Sequence, residues 1–194
     1  FMCGIAGFID FNKQTPEGVL QKMTAIMQHR GPDGEGHFID RNDNAITGLG
    51  HRRLSIIDLS NAASQPMVFE NLYIVFNGEI YNYNEVRNEL INKGHHFSTH
   101  SDTEVILHAY KEWGNKCVNY FIGMFAFVIY DIKMQKLYLL RDRAGVKPLY
   151  YFYKNDCLLF ASELKSIYTY AGFQKNINES AITLYFKYGY IPAP

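Results

Sequence analysis

The chain has 194 residues, 47% of them hydrophobic, and its 19 Lys and Arg balance its 19 Asp and Glu. At roughly 100 to 200 residues per domain this is one domain, its near-average composition excludes disorder, and its balanced charge offers no basic excess to release counterions from a nucleic-acid backbone. The longest apolar run, from 121 to 130, is half of what a membrane-spanning helix needs, so neither nucleic acid nor membrane is expected as a partner and the expected compartment is cytoplasmic.

In chain order, residues 3–11 (CGIAGFIDF) read as a strand, with Gly4 and Gly7 allowing close backbone approach. Apolar residues Val19, Leu20, Met23, Ile26 and Met27 recur at helical spacing, which predicts a helix from Pro16 to His29 with Thr15 as its N-cap. Short strand-like runs follow near 36–39, 45–50, 54–57 and 72–76. Helical periodicity returns over 83–93, with Gly94 just past the end, and over 102–113 before Gly114. Four more strand-like runs (GMFAFVIYD, KLYLLRD, PLYYFYK, CLLFASE) follow in succession and read as antiparallel. Two central helices flanked by antiparallel strands predict an α+β layered fold rather than alternating βαβ units. Residues 178–194 carry their own cap, Asn178, and a short helical pattern before ending Ile-Pro-Ala-Pro, which reads as the start of a linker.

Three cysteines, Cys3, Cys117 and Cys157, are too few for a disulfide scaffold. Cys117 and Cys157 read as buried thiols. Cys3 reads either as a small core residue or as a nucleophile whose own α-amine serves as base. The second reading has a quantitative appeal: near pH 7.5 roughly a third of α-amines are deprotonated, against about 0.1% of lysines. His95, His96 and His100 lie on a predicted loop with no ligand-spaced acid or cysteine, so they read as solvated and no metal is expected.

Seven stretches occur in order along nearly the whole chain: CGIAGFID, HRGPDGEG, HRRLSIIDLS, FNGEIYNY, SDTEVILHAY, GMFAFVIYD and RDRAGVKPLYY. Together they resemble the glutaminase half of glutamine-dependent asparagine synthetases, an N-terminal class II glutamine amidotransferase domain. The resemblance implies a four-layer αββα Ntn-hydrolase sandwich of two antiparallel sheets between helices. It also implies that L-glutamine is the substrate, and that ammonia passes to an ATP-dependent synthetase domain that amidates aspartate.

Carried over residue by residue, the resemblance implies Cys3 as nucleophile, with the Asn77 side chain and the Gly78 N–H as oxyanion donors. Glutamine would be bound by Arg53, by Leu54, Ser55, Ile56 and Ile57 as a pocket wall, by Asn77, Gly78 and Glu79, and by Asp102. A guanidinium fork suits the α-carboxylate, and a carboxylate suits the α-ammonium. Each residue also has a plain structural reading: Asn77-Gly78 as a hairpin turn, Arg53 and Arg52 as surface arginines, and Ser101-x-x-Glu104 as a capping box with Asp102 favoured by the helix dipole. Arg30 to Asp33 read as a turn supporting the nucleophile.

Phe1 and Met2 precede Cys3 and are read as a vector remnant and an unprocessed initiator methionine. While they remain, the Cys3 nitrogen is a non-basic amide, so this form is expected to be poorly active. The expected organisation is 3–177 as the glutaminase domain and 178–194 as the start of a connection to an absent synthetase domain. No cofactor is expected in this chain, ATP and magnesium are expected in the absent domain, and a homodimer is a further possibility. Two alternatives stay open: the glutaminase half of an amidotransferase with another acceptor, and a non-catalytic docking or regulatory module.

Overall fold

The structure, a computed structural model, describes residues 3–54 and 64–192. Two antiparallel sheets form its centre. The first holds β1 (Gly4–Asp10), β2 (Gly34–Arg41), β3 (Ile46–Arg53), β8 (Tyr150–Lys154) and β9 (Cys157–Ala161), in the order β2-β3-β1-β9-β8. The second holds β4 (Met67–Phe69), β5 (Leu72–Ile80), β6 (Gly123–Asp131) and β7 (Lys136–Arg141), in that order. Helices α1 (Val19–Ala25) and α4 (Leu164–Ile167) pack on the first sheet; α3 (Asp102–Trp113) packs on the second and also contacts α2 (Tyr83–Asn92). A last helix, α5 (Glu179–Tyr188), leaves no residue buried.

Side-chain alternation along the strands sorts the core into three layers. Ala6, Phe8, Leu20, Met23 and Leu159 fill the space between α1 and the first sheet. Ile74, Phe76, Phe125, Phe127 and Ile129 meet Leu90, Val105 and Ile106 of α2 and α3. Ile5, Leu49, Val75, Ala126, Val128, Tyr130 and Phe160 lie between the sheets. Residues adjacent in sequence therefore serve different layers: Ile5 faces inward and Ala6 outward, Val75 inward and Phe76 outward. This is the expected four-layer αββα arrangement. Among the described residues no helix is long and apolar enough to cross a membrane.

Several local expectations differ in detail. The first helix starts at Val19, capped by Gly18 in the left-handed region. Thr15 is not its cap, because the Thr15 amide and hydroxyl both donate to Asp10 Oδ2, at 2.6 and 2.8 Å, and hold the chain in a turn. The helix gives way to a 3₁₀ turn at Gln28–Arg30. The four C-terminal strands do not form one block: β6 and β7 belong to one sheet and β8 and β9 to the other. Asn77-Gly78 is no hairpin turn, since both lie inside β5, opposite Ala126 and Phe125. The capping box is half made: Ser101 Oγ accepts from the Thr103 amide, while Glu104 turns to the Ser98 and Thr99 amides. Asn178 does cap α5, accepting from the Ala181 amide at 3.0 Å.

One side chain ties the sheets together. Tyr130 on β6 is fully buried in the inter-sheet layer, and its hydroxyl donates to Asp40 Oδ2 on β2 at 2.6 Å. Tyr130→Phe removes that bond while keeping the ring, and should cost about 1–3 kcal/mol in urea unfolding with an unchanged m-value.

Candidate functional site

The same alternation that builds the inter-sheet layer decides what stands at its end. Leu49 is an inner residue of β3, so His51 and Arg53 share its face; Val75 is an inner residue of β5, so Asn77 and Glu79 share its face; Ile5 is inner on β1, so Cys3 lies on the same side. In the interior these positions carry aliphatic side chains, and toward this end they become polar and ionisable. Cys3 Sγ accepts the Leu54 amide at 3.3 Å and lies 3.6 Å from the Leu54 carbonyl. Burial pushes the thiol above its ordinary pKa, against the lowering pull of the Leu54 amide and the Arg53 and Arg30 charges.

Among the described residues no strand pairs with the edge of β5 beside this end, because β4 is short. β4 pairs only with Leu72 to Ile74. Beyond it, amides two residues apart point to the same uncovered edge. The Phe76 amide donates to Gln65 Oε1 at 2.6 Å and the Ile80 amide to Asp102 Oδ2 at 3.2 Å. The Gly78 amide lies midway between them on this edge. Its strand partner Phe125 bonds elsewhere, with its N–H donating to Asp142 Oδ2 and its carbonyl accepting from the Asp142 amide. Only glycine fits at 78, since a Cβ would come within 2.4 Å of the Met124 carbonyl oxygen.

Asn77 is fully buried, yet neither its side-chain nitrogen nor its oxygen has a hydrogen-bond partner. An unsatisfied buried polar group costs about 1–3 kcal/mol, and such a group is one that a ligand can complete. His51 is in a comparable position. Its Nε2–H donates to the Phe76 carbonyl at 3.2 Å, which leaves Nδ1 as an unpartnered acceptor. Burial keeps this imidazole neutral, with a pKa lowered to about 3.

Asp33, Gly34, Glu35, His51, Arg53, Ser64 and Gln65 line a cleft of about 190 Å³, small beside the roughly 300–1,000 Å³ of drug-sized pockets. Gln65 connects this cleft to the rest of the site: its Oε1 takes the Phe76 amide and its Nε2 donates to Thr103 Oγ1 at 3.3 Å. Gln65 thus shares the cleft with Arg53 and bonds the residues next to Asn77 and Asp102, while Cys3 bonds to Leu54, the residue after Arg53. Ser55, Ile56 and Ile57 lie outside the described residues.

Asp102 is buried at the first turn of α3. Burial pushes its pKa up to about 6; the Ile80 and Thr103 amides oppose that shift and the Glu79 charge adds to it. Lys147 was quoted within a motif but given no role by sequence. It too is buried, and its charge acts within range of Arg30, Asp142, Glu79 and Cys3. Its loop is fixed by Asp142, which accepts the Val146 and Lys147 amides, and by Arg141, which donates to the Lys147 carbonyl. Gln65, His51 and Lys147 were missed because a lone polar residue carries no periodic signal; only the close spacing of His51 to Arg53 hinted at one of them.

Two neighbouring readings change. Arg52 is not a surface arginine: it donates to the Thr24 carbonyl at 3.1 Å and pairs with Glu35 at 2.7 Å, with its side chain only 12% exposed. His95 is not solvated, since Nδ1 lies 2.9 Å from His108 Nδ1 and Nε2 lies 3.2 Å from Glu112. Cys117 and Cys157 are buried free thiols. Among the described residues no group of His, Cys, Asp and Glu is arranged to hold a metal.

A family model described as a glutamine amidotransferase domain matches residues 2–194. The chain belongs to this glutamine amidotransferase family. It is 43% identical to the glutamine-hydrolyzing asparagine synthetase 1 of Bacillus subtilis, over 100% of this chain and 30% of that protein. It is 37% identical to asparagine synthetase 3 of the same organism, over 97% of this chain and 31% of that protein. The chain therefore spans about a third of the length of these curated relatives. The fold is shared with the glutamine phosphoribosylpyrophosphate amidotransferase of B. subtilis, with a TM-score of 0.70 and 21% identity over 86% of this chain and 43% of that one.

The raised pKa of Asp102 fixes a sign. Its folded-state value of about 6 exceeds the ordinary aspartate value of 3.8, so the ionised form is disfavoured in the fold and stability falls as pH rises from about 4 to 6. Asp102→Asn should therefore stabilise the fold at pH 8 by an amount on the order of 1–3 kcal/mol, seen as a higher thermal midpoint. At pH 3, below both pKa values, the gain should largely vanish, and differential scanning fluorimetry at the two pH values checks this.

Proposed function

We propose that this amidotransferase domain hydrolyses the side-chain amide of L-glutamine through Cys3 and supplies the ammonia to an ATP-dependent synthetase domain that amidates aspartate. The observation that carries the reading is the buried, unpartnered Asn77 amide beside the Gly78 N–H, on the same inner layer as the Cys3 sulfur.

In this reading Arg53 grips the α-carboxylate in the cleft through two parallel hydrogen bonds, which lysine could not reproduce. Asp102, anchored to Ile80 at the far end of the β5 edge, takes the α-ammonium, and Glu79 and Leu54 line the bound molecule. Gly78 and Ile80 are two residues apart along β5, about 7 Å, a separation that glutamine spans from ammonium to side-chain carbonyl. Binding the ammonium also returns to Asp102 the opposite charge that its burial lacks.

Cys3 Sγ attacks the carboxamide carbon as its proton passes to the Cys3 α-amine. The carbonyl π pair moves to oxygen, where Asn77 and the Gly78 N–H stabilise the oxyanion. The C–N bond then breaks and the amine returns the proton to the departing nitrogen, releasing ammonia and leaving a γ-glutamyl thioester. Water, deprotonated by the same amine, adds to the thioester, and glutamate leaves as the thiol is restored. The sum is glutamine plus water to glutamate plus ammonia. The amine can do this only where Cys3 is the first residue, because a peptide nitrogen is no base.

The acceptor chemistry, with its ATP and magnesium, belongs to the part of the relatives that this chain does not span. The curated relatives named asparagine synthetases support aspartate as acceptor, and in this reading the protein is cytoplasmic.

Protein trimmed to begin at Cys3 should release ammonia from glutamine in a glutamate-coupled assay, while the form retaining Phe1 and Met2 should be at least about a hundredfold slower. Equal rates would remove the amine from its role. Asn77→Ala in the trimmed protein should lower kcat by about 10²–10³. For the same enzyme, kcat/KM for glutamine should fall about tenfold per pH unit below about pH 7.5 as the Cys3 amine is protonated, and about a hundredfold per unit below pH 6 as Asp102 is protonated too. A slope that stays at about tenfold per unit down to pH 4.5 would exclude Asp102 as the ammonium site.

A further inference from the structure

Cys3 stands one residue before β1 begins, where the ladder that fixes its neighbours has run out. β1 pairs with β9 only as far as Ala6 opposite Ala161. The next contacts are made by side chains and a turn: the Ile5 amide donates to Ser162 Oγ at 3.0 Å, and the Ser162 amide donates to the Ile5 carbonyl at 2.8 Å. Ser162 thereby places Glu163 alongside the Cys3–Gly4 segment.

Arg30 spans the remaining gap. Its Nε–H donates to the Cys3 carbonyl at 3.1 Å and its Nη1 donates to Glu163 Oε1 at 3.2 Å. Its aliphatic stem lies against Gly4, where an added Cβ would stand 3.5 Å from Arg30 Cδ. Glu163 is gripped from two further sides, by His29 Nε2 at 2.9 Å on Oε1 and by Lys165 Nζ at 3.0 Å on Oε2. The carboxylate is only 22% exposed, and a single guanidinium links it to the carbonyl of the cysteine.

We propose that Glu163 is a positioning residue for Cys3, holding the Arg30 fork so that the first peptide unit, and with it the Cys3 sulfur and nitrogen, stays in register with Leu54 and the Asn77–Gly78 edge. The proposal rests on Cys3 being the glutamine-hydrolysing nucleophile and names what keeps it aimed. Burial acts to raise the Glu163 pKa, but the Lys165, Arg30 and His29 contacts outweigh it and hold the carboxyl below its usual range, so the clamp stays charged at neutral pH. Glu163 touches neither substrate nor sulfur, so its loss should affect the chemical step and leave glutamine binding intact.

The test compares wild type, Cys3→Ala, Glu163→Ala, Glu163→Gln and Lys165→Ala, each with Cys3 as first residue. The readouts are kcat and KM for glutamine hydrolysis and the pH profile of Cys3 alkylation by iodoacetamide. Glu163→Ala should lower kcat by about ten- to a hundredfold, the size expected for a displaced reacting group, with KM unchanged within about twofold. Glu163→Gln keeps an acceptor for Arg30 and should recover part of the loss; it also carries the test if the alanine variant does not fold. The alkylation profile should shift in Glu163→Ala and stay at the wild-type position in Lys165→Ala. Wild-type kcat in both Glu163 variants, or a loss expressed in KM alone, would overturn the proposal. Undiminished hydrolysis by Cys3→Ala would instead overturn the nucleophile assignment beneath it.

Discussion

Two sheets packed face to face share one inner layer, and that layer governs the rest of the molecule. Through most of its length it is filled by Ile5, Leu49, Val75, Ala126, Val128 and Phe160, whose burial supplies the hydrophobic drive that holds the sheets in register. At one end the same strand positions continue as Cys3, His51, Arg53, Asn77 and Glu79. The period of two leaves no freedom here: a register slip of one residue would send the Asn77 amide into the α3 layer and bring Phe76 inward. The aliphatic interior therefore acts as the alignment device for the polar end, and each functional side chain inherits its direction from hydrophobic neighbours two and four residues away.

The termination of β4 matters as much. A full-length fourth strand would have paired the Phe76, Gly78 and Ile80 amides in an ordinary ladder. Because its pairing reaches no further along β5 than Ile74, side chains from elsewhere take its place, Gln65 at one end of the row and Asp102 at the other. A sheet edge that would otherwise invite pairing with another chain becomes a row of donors, two of them met by Gln65 and Asp102. The covering helix α3 contributes twice: its body closes the outer core and its first turn presents the carboxylate.

Much of this was legible in the sequence, and the limits have physical reasons. The helices over 83–93 and 102–113 announced themselves through apolar spacing and terminal glycines. Gly94 and Gly114 do adopt positive φ just past the helix ends. The strand runs were legible too, but their division between two sheets was not, because the pairings that decide it, β1 with β9 and β5 with β6, join strands far apart in sequence and local pattern carries no long-range register. Asn77-Gly78 shows the same limit: the dipeptide has high turn propensity, and only the β6 partner strand overrides it. Thr15 was misjudged because a threonine before Pro16 looks like a cap, whereas the Asp10 carboxylate five residues upstream competes for its amide and wins. Arg52 and Arg53 are adjacent and chemically identical, yet alternation sends one to the α1 carbonyls and the other to the cleft.

The energetic character of the polar end follows from its place beside the core. Asn77 with both amide atoms unpartnered, neutral His51 with an orphan nitrogen, and Asp102 with a carboxyl pushed up to about 6 each leave the free protein less stable than a fully satisfied interior would be. These groups stay in place because the three apolar layers over-determine the backbone around them. In the proposed reading, glutamine brings an amide carbonyl to the Asn77 Nδ2–H and an ammonium to Asp102, so the destabilisation present without it becomes binding selectivity with it. An amino acid lacking the side-chain carbonyl would leave Asn77 buried and unsatisfied, and one lacking the ammonium would leave Asp102 as an isolated buried charge. On the proposed assignment, discrimination for glutamine comes from the cost of leaving these groups unpaired, and the rigidity of the inter-sheet layer keeps that cost from being relaxed away.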